Sequence, residues 1–455
     1  MSLRWTVACL ILFLSGFGLM VWSYHHTARA GLSFPLRVAL LVPRGDQADK
    51  PTDGALPVSV RFLPSSDPVA AVVAEGLRQQ GPDGDRRAEA FLHSRQEAVL
   101  LLPALDQVFR DDMFASGRLP AAGTDEVLAG YAVEHRDRLV VAGRTLRVVG
   151  VLPVTGRPLS HAYFLAGSQG PPGLFDPDEA VRRGFLLVRP QGEEAGPATV
   201  PQGQWTRIET PPRVGRGAYY AYLAGLALVL AAGSALLVAG YVALARRVRN
   251  RWLGPPLAEI ARRARLLGGL HAAYFGLTVG MAFLSYEVPT VQDSLLAAAG
   301  GQLGSGQGPL GKAGEAYASR NVVRAAATTL AINFVLGSLL FISLPSVVVP
   351  GLGLLTALFR ALLWGLLLAP TNLALARAML PHSGTLLLEG EGYILAAFFG
   401  LLVPIYLFSP KEGPSLGRRY GRAVVLNLKG NLLVLLVLAV AAAYEAIEVI
   451  LQMGG

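Results

Sequence analysis

The stretch Pro381-His382-Ser383-Gly384-Thr385-Leu386-Leu387-Leu388-Glu389-Gly390-Glu391-Gly392-Tyr393 sets one histidine and two carboxylates between two of the most apolar runs in the chain. A charge at membrane depth costs about 2.5–3.5 kcal/mol on insertion scales, so such a residue tends to be paired, hydrated or functional. His382, Glu389 and Glu391 are therefore the first candidate polar site. The expected form is an interfacial turn whose glutamates are either hydrated or able to take up protons or a cation. The last apolar run adds Glu445 and Glu448, whose spacing places both on one face of a helix.

Working outward, the chain has mean hydropathy +0.44, and 52% of its 455 residues are hydrophobic and 16% charged. That is too apolar for an ordinary soluble protein and too mixed for membrane spans alone. The formal charge of +9 fits arginine-rich cytoplasmic loops; no basic stripe interleaved with aromatics supports nucleic-acid binding. Cys9 is the only cysteine, which rules out an internal disulfide and a cysteine-based metal site.

Trp5–Trp22 is an uncharged run of roughly eighteen residues behind Arg4, long enough to cross a hydrocarbon core. Ala28-Arg29-Ala30 mimics a signal-peptidase site, but the apolar run exceeds the usual signal length, so an uncleaved anchor is expected over residues 1–24. Residues 25–215 change character, with more charge, proline and glycine. Strands are expected at 36–42, 58–63, 97–102, 162–166 and 185–188, with a hairpin over 139–152 turning at Ala142-Gly143-Arg144. A helix is expected at 69–80, begun by Asp67-Pro68. The class is α+β.

Gly217–Ala245 is uncharged and long enough to span. Arg246, Arg247, Arg249, Arg251, Arg262, Arg263 and Arg265 follow with a single acidic neighbour, Glu259. By the positive-inside rule this loop is cytoplasmic, which places residues 25–215 outside and the N-terminus inside. Leu257, Ile260, Ala261 and Ala264 recur at helical spacing, as in a helix lying on the inner membrane surface, where the arginines would meet anionic lipid or a cytoplasmic partner. Residues 216–265 thus form a span plus a basic segment, and 266–455 a helical membrane domain. Within the latter, spans are expected from 266 to 286, from 322 to 344, from the end of a turn at 347–353 to about 380, from 392 to 408, and from 423 to 451. The total is about seven spans, with the C-terminus outside. Arg360 falls inside one of them, where it can snorkel or pair with a carboxylate, and Asn333 is a further candidate partner. Lys429 and Asn431 are expected as interfacial anchors. His382, Glu389, Glu391, Glu445 and Glu448 all fall toward the outer side of this topology, as does Glu287.

Two resemblances enter here. Asp125–Gly130, Leu139–Leu152 and Thr155-Gly156 resemble the extracytoplasmic domain of macrolide-export-type ABC permeases, which follows a first membrane helix. Asn321–Ala325, Asn333–Gly337, Pro381–Gly384 with an acidic residue after it, and Leu432–Ala443 closing on Tyr444-Glu445-Ala446 resemble the stage II sporulation protein M family of polytopic membrane proteins, over roughly Gly314 to the C-terminus. The chain departs from that pattern at Ser383, which separates His382 from Gly384. The longer gap to Glu389 leaves open whether Glu389 or Glu391 is the counterpart of the family glutamate. The second resemblance implies an envelope membrane component and does not itself carry a function.

Enzyme chemistry finds little support. There is no H-E-x-x-H pair for zinc, no G-x-S-x-G elbow beside Ser383 or Ser409, and Gly306–Lys312 has the wrong spacing for a phosphate loop. No cofactor, metal or catalytic residue is therefore expected. The sequence reads as a non-enzymatic multi-pass component of a bacterial-type inner membrane, in contact with lipids and other envelope or transport proteins. The alternative is a transporter or permease subunit relying on a separate ATPase or an ion gradient.

Overall fold

A computed structural model describes residues 3–31, 34–43, 55–64, 68–79, 84–93, 96–131, 133–153, 155–156, 158–167, 171–175, 181–190, 205–209, 213–288, 291–292, 295–296, 299, 308–409 and 415–454. Asp67, expected to begin the helix at 69–80, lies outside them. The chain divides into two compact units, residues 26–215 and residues 1–25 with 216–455.

The chain opens with α1 (Leu3–Gly31). The 26–215 unit then carries β1 (Leu36–Pro43), β2 (Ala55–Phe62), α2 (Pro68–Arg78), α3 (Gly84–His93), β3 (Ala98–Leu102), α4 (Leu105–Val108), β4 (Ser116–Gly117), β5 (Glu126–Ala129), β6 (Arg138–Val141), β7 (Arg144–Val151), β8 (Ala162–Ala166), β9 (Val181–Pro190) and β10 (Trp205–Ile208). The strands form one mixed sheet in the order β10-β1-β9-β2-β3-β8-β5-β7-β4, with β6 on β7. The pairs β3–β8 and β5–β7 are parallel and the others antiparallel. Alternation along β3 sends Leu100 and Leu102 into a core with Val60, Phe109 and Phe164, and Val99 and Leu101 into a second core with Val127, Leu139 and Tyr163. Both faces of the sheet are thus covered. The β6–β7 hairpin turns at Ala142 and Gly143, both at positive φ (49° and 74°), as a two-residue turn that matches strand twist requires.

The second unit is helical: α5 (Arg216–Arg247), α6 (Gly254–Arg262), α7 (Ala264–Glu287), α8 (Gly308–Ala318), α9 (Val322–Val348), α10 (Leu352–Leu367), α11 (Leu373–Phe408) and α12 (Leu416–Gly454). Among the described residues six helices are long and apolar enough to cross a membrane, namely α1, α5, α7, α9, α11 and α12, while α10 is a shorter apolar helix. Residues Ala331–Ser343 of α9 are wound as π-helix, a form that in single turns often marks functional positions. Gly16 and Gly225 let α1 and α5 meet backbone to backbone: a Cβ on either would lie within 2.7 Å of the other's carbonyl oxygen.

The stretch expected as an outer turn is not a turn. Pro381–Tyr393 lies inside α11, a helix of 36 residues. The reversal falls earlier, at 368–372, where the Asn372 side chain caps α11 by accepting from the Leu375 amide at 2.9 Å. The span expected from 353 to 380 is accordingly divided between α10 and the start of α11. Pro381 removes the amide that would bond the Arg377 carbonyl, yet the helix continues through it and packs on α12 there: Tyr444 donates to the Pro381 carbonyl at 2.9 Å, and Gly384 admits the Tyr444 ring. At 1.5 Å per residue, His382 lies about 14 Å, Glu389 about 24 Å and Glu391 about 27 Å from the start of α11. The two glutamates are therefore mid-helix, not at its outer end as expected.

Candidate functional site

Three buried polar pairs radiate from α11, each to a different helix. Glu389 faces α10 and α9. Its Oε1 accepts from the Arg360 guanidinium at 3.2 Å and from the Tyr393 hydroxyl at 2.5 Å, and the same Arg360 nitrogen donates to Asn333 Oδ1 at 3.3 Å. The guanidinium carbon lies 4.0 Å from the Tyr393 ring centre and 5.5 Å from that of Trp364, so cation–π attraction adds to the ion pair. Gly337 makes room for this contact, since a Cβ there would come within 3.1 Å of Tyr393 and 3.2 Å of Arg360.

Two residues along and on another face, Glu391 is fully buried and pairs with His271 of α7. His271 Nδ1 lies 2.8 Å from the Leu267 carbonyl, which can only accept, so that nitrogen carries a proton. The contact through Nε2 then needs a second proton, held by either the imidazole or the carboxyl group. Gly390 allows this approach, since a Cβ there would strike the Phe275 ring of α7; Gly392 faces α12, where a Cβ would strike the Leu438 side chain.

Nearer the start of α11, His382 Nδ1 lies 3.2 Å from Glu448 Oε1 on α12. The Thr385 hydroxyl donates to Glu448 Oε2 at 2.8 Å and Gln452 to Oε1 at 3.0 Å. Glu445, one turn back on α12, is within electrostatic reach of Glu389, His382, Glu448 and Tyr317. The Tyr317 and Thr329 hydroxyls are 2.9 Å apart.

The expected residues thus come together in part. Arg360 and Asn333 do join Glu389, and His382 joins Glu448, but Glu391 turns away toward α7 and makes a separate pair. Asn431, expected as an interfacial anchor, is buried and accepts from Ser343 at 3.0 Å, while Lys429 donates to the Arg251 carbonyl at 2.9 Å. His271, Tyr393, Thr385 and Tyr317 were not anticipated. For His271 the signal was present, a lone histidine within the apolar run 266–286, and such a residue at membrane depth calls for a named partner.

The basic segment also differs from a plain surface helix. Glu259 on α6 is buried and takes both Arg262 at 2.8 Å and Arg263 at 3.3 Å, with the Tyr406 hydroxyl donating to it at 2.8 Å. These two arginines lock α6 against α11, whereas Arg246, Arg247, Arg249, Arg251 and Arg265 stay exposed. An apolar cavity of about 910 Å³ opens between α5 and α7, away from the Glu389 pair, with His271 and Arg246 its ionisable lining.

Among the described residues no group of three or more His, Cys, Asp or Glu side chains is placed to hold a metal ion. No protein-family model, curated protein or solved structure matches the chain. The two resemblances therefore stand on the quoted residues alone.

Proposed function

We propose that the chain is a non-enzymatic, multi-pass membrane component of a transport assembly in a bacterial-type cell envelope, its helical half responding to an ion gradient or to a separate ATPase. One observation carries this reading: charged side chains from α7, α10, α11 and α12 are directed inward and meet one another within the helix packing. A scaffold has no need to desolvate charges and can leave its carboxylates at the lipid–water interface, whereas a transport module must bring polar groups from several spans together. The basic residues gathered around α6 and at the start of α12 support a cytoplasmic location for that end, and hence an extracytoplasmic location for residues 25–215 and the C-terminus. The exposed arginines of the segment would meet anionic lipid or a partner. The likeness to the stage II sporulation protein M family and to macrolide-export-type permeases agrees with an envelope setting and with an energy source outside this chain.

A second reading, an envelope scaffold without flux, is favoured by the pairing itself, since Glu389, Glu391 and Glu448 each hold a basic partner as a static clamp would. Reconstitution separates the two. Wild-type protein in sealed vesicles, alone and with any co-purifying ATPase, is compared with E389Q and E448Q under an imposed ion gradient. Flux that the substitutions abolish upholds the transport reading; absence of flux in every preparation, together with partners crosslinked through residues 25–215, overturns it in favour of the scaffold.

A further inference from the structure

We propose that the seam between α11 and α12 holds one exchangeable proton, carried chiefly on Glu445, which enters from the C-terminal end of α12; the proposal rests on the transport reading above and names its coupling ion. The argument is one of charge balance. Facing one another in the seam are three carboxylates, Glu389, Glu445 and Glu448, one guanidinium, Arg360, and one imidazole, His382. Even with His382 protonated, one negative charge has no counterpart. Tyr317 from α8 and Tyr274 and Tyr393 from α7 and α11 complete the surroundings and are neutral. Arg320, Arg324 and Arg377 near that end are exposed to the surroundings. An uncompensated carboxylate in a water-poor site is costly, so the seam must take a positive guest.

The hydrogen-bond pattern points to where the guest sits and what it is. Glu389 Oε1 and both oxygens of Glu448 have donors, but Glu445 Oε2 is buried without one. The Tyr274 hydroxyl, on a residue 2% exposed beside Arg360 and Glu389, likewise has no partner. A sodium or potassium ion needs several converging oxygens, and the carboxylates do not converge on one point among the described residues. A proton needs only one oxygen. Uptake forms a single O–H bond on Glu445 from a solution proton and lowers the seam's negative charge by one. The way in lies past Gln452 and Glu448, which stand between Glu445 and the end of α12.

The test uses the purified full chain in detergent, where no flux is required. A hydrophobic carbodiimide reacts with protonated carboxyl groups, and infrared difference spectra report the protonated carbonyl stretch directly. Labelling mapped by mass spectrometry is expected at Glu445, falling about tenfold per pH unit above its midpoint and unchanged by saturating sodium or potassium. The infrared band should be lost in E445Q, with helix content and elution volume checked to keep the comparison valid, and retained in T385V, which removes only a donor to Glu448. Protection by sodium or potassium at fixed pH, a band that survives E445Q at full intensity, or no protonated carboxyl at any pH overturns the proposal. Flux missing from vesicles while the band and its loss in E445Q persist would instead remove the transport reading and leave the proton in place.

Discussion

Replacing Arg360 by leucine is the sharpest test of how the mid-helix charges are held. The change removes the guanidinium from Glu389, whose side chain is 5% exposed, and leaves the carboxylate with the Tyr393 hydroxyl as its donor. Breaking a buried ion pair from one side costs about 3–5 kcal/mol. The Arg360 side chain is 28% exposed, which tempers the loss, so about 3 kcal/mol is expected. Replacing both partners, R360L/E389L, removes the uncompensated charge as well and should return stability to within about 1 kcal/mol of the starting protein. The double-mutant cycle would then give a coupling of about 2 kcal/mol or more. Unfolding of the purified full chain by sodium dodecyl sulfate in mixed micelles, followed by far-ultraviolet circular dichroism, measures all three. If R360L costs under about 1 kcal/mol, as for a solvated surface pair, or if the double variant loses the sum of the single losses, the pair is not a buried one and the reasoning fails.

Gly225→Leu should separate α1 from α5, because a Cβ there would already meet the Gly16 carbonyl at 2.6 Å and the Met20 side chain at 2.9 Å; maleimide labelling of a cysteine placed at the buried Met20, with Cys9 replaced by alanine, should rise against the Gly225 protein. Ala142→Gly should stabilise the β6–β7 hairpin by about 1 kcal/mol, since alanine at φ 49° bears the left-handed penalty that glycine escapes, and slower amide exchange in β7 would register it. The 26–215 unit should lose stability in acid. Burial pushes the Glu209 carboxyl up, but the hydrogen bonds and charges of Arg207 and Arg37 outweigh it and hold the group below its ordinary value; burial also pushes the His93 imidazole down. The Glu209 contribution is fully present above about pH 4.5 and fades as pH falls through the lowered value, and that of His93 begins to fade below about pH 6.5. Both arginines on Glu209 are largely exposed, so E209Q should cost about 0.5–1 kcal/mol at neutral pH and flatten the acid limb of protease resistance in β10.

Much of the sheet unit was legible because β-branched runs with turn signals are local features. The strands at 36–42, 97–102 and 162–166 and the hairpin at Ala142-Gly143 are all of this kind. The short β4 and β10 and the helix α3 carry weak local patterns and owe their form to the neighbours they pair with. In the helical unit, apolar length found the long helices, but the reading of Pro381–Tyr393 went astray for a definite reason. Treating each charge as a sign of the water interface presumes that water is its only available partner. Here Arg360, His271 and Glu448 supply partners from other helices, and glycines make room for them: Gly390 toward α7, Gly384 and Gly392 toward α12, and Gly337 of α9 beside Arg360. The better boundary signal was Pro370-Thr371-Asn372, a proline followed by a residue suited to cap a helix.

The placement of those partners limits how the helical unit can move. Every pair uses α11, yet each reaches a different neighbour: Glu391 to α7, Glu389 to α10 and His382 to α12. A shift of α11 as a whole would break all three contacts together and strand several charges, whereas a shift of α12 alone breaks, of the three, the His382–Glu448 pair, together with the neutral bonds of Thr385 to Glu448, Tyr444 to Pro381 and Ser343 to Asn431. A proton on Glu445, the α12 carboxylate whose Oε2 lacks a donor, would lessen the repulsion that α12 feels from Glu389 without disturbing the other pairs. Motion coupled to that proton should therefore be sought between α11 and α12, with α7 and α10 remaining fixed to α11.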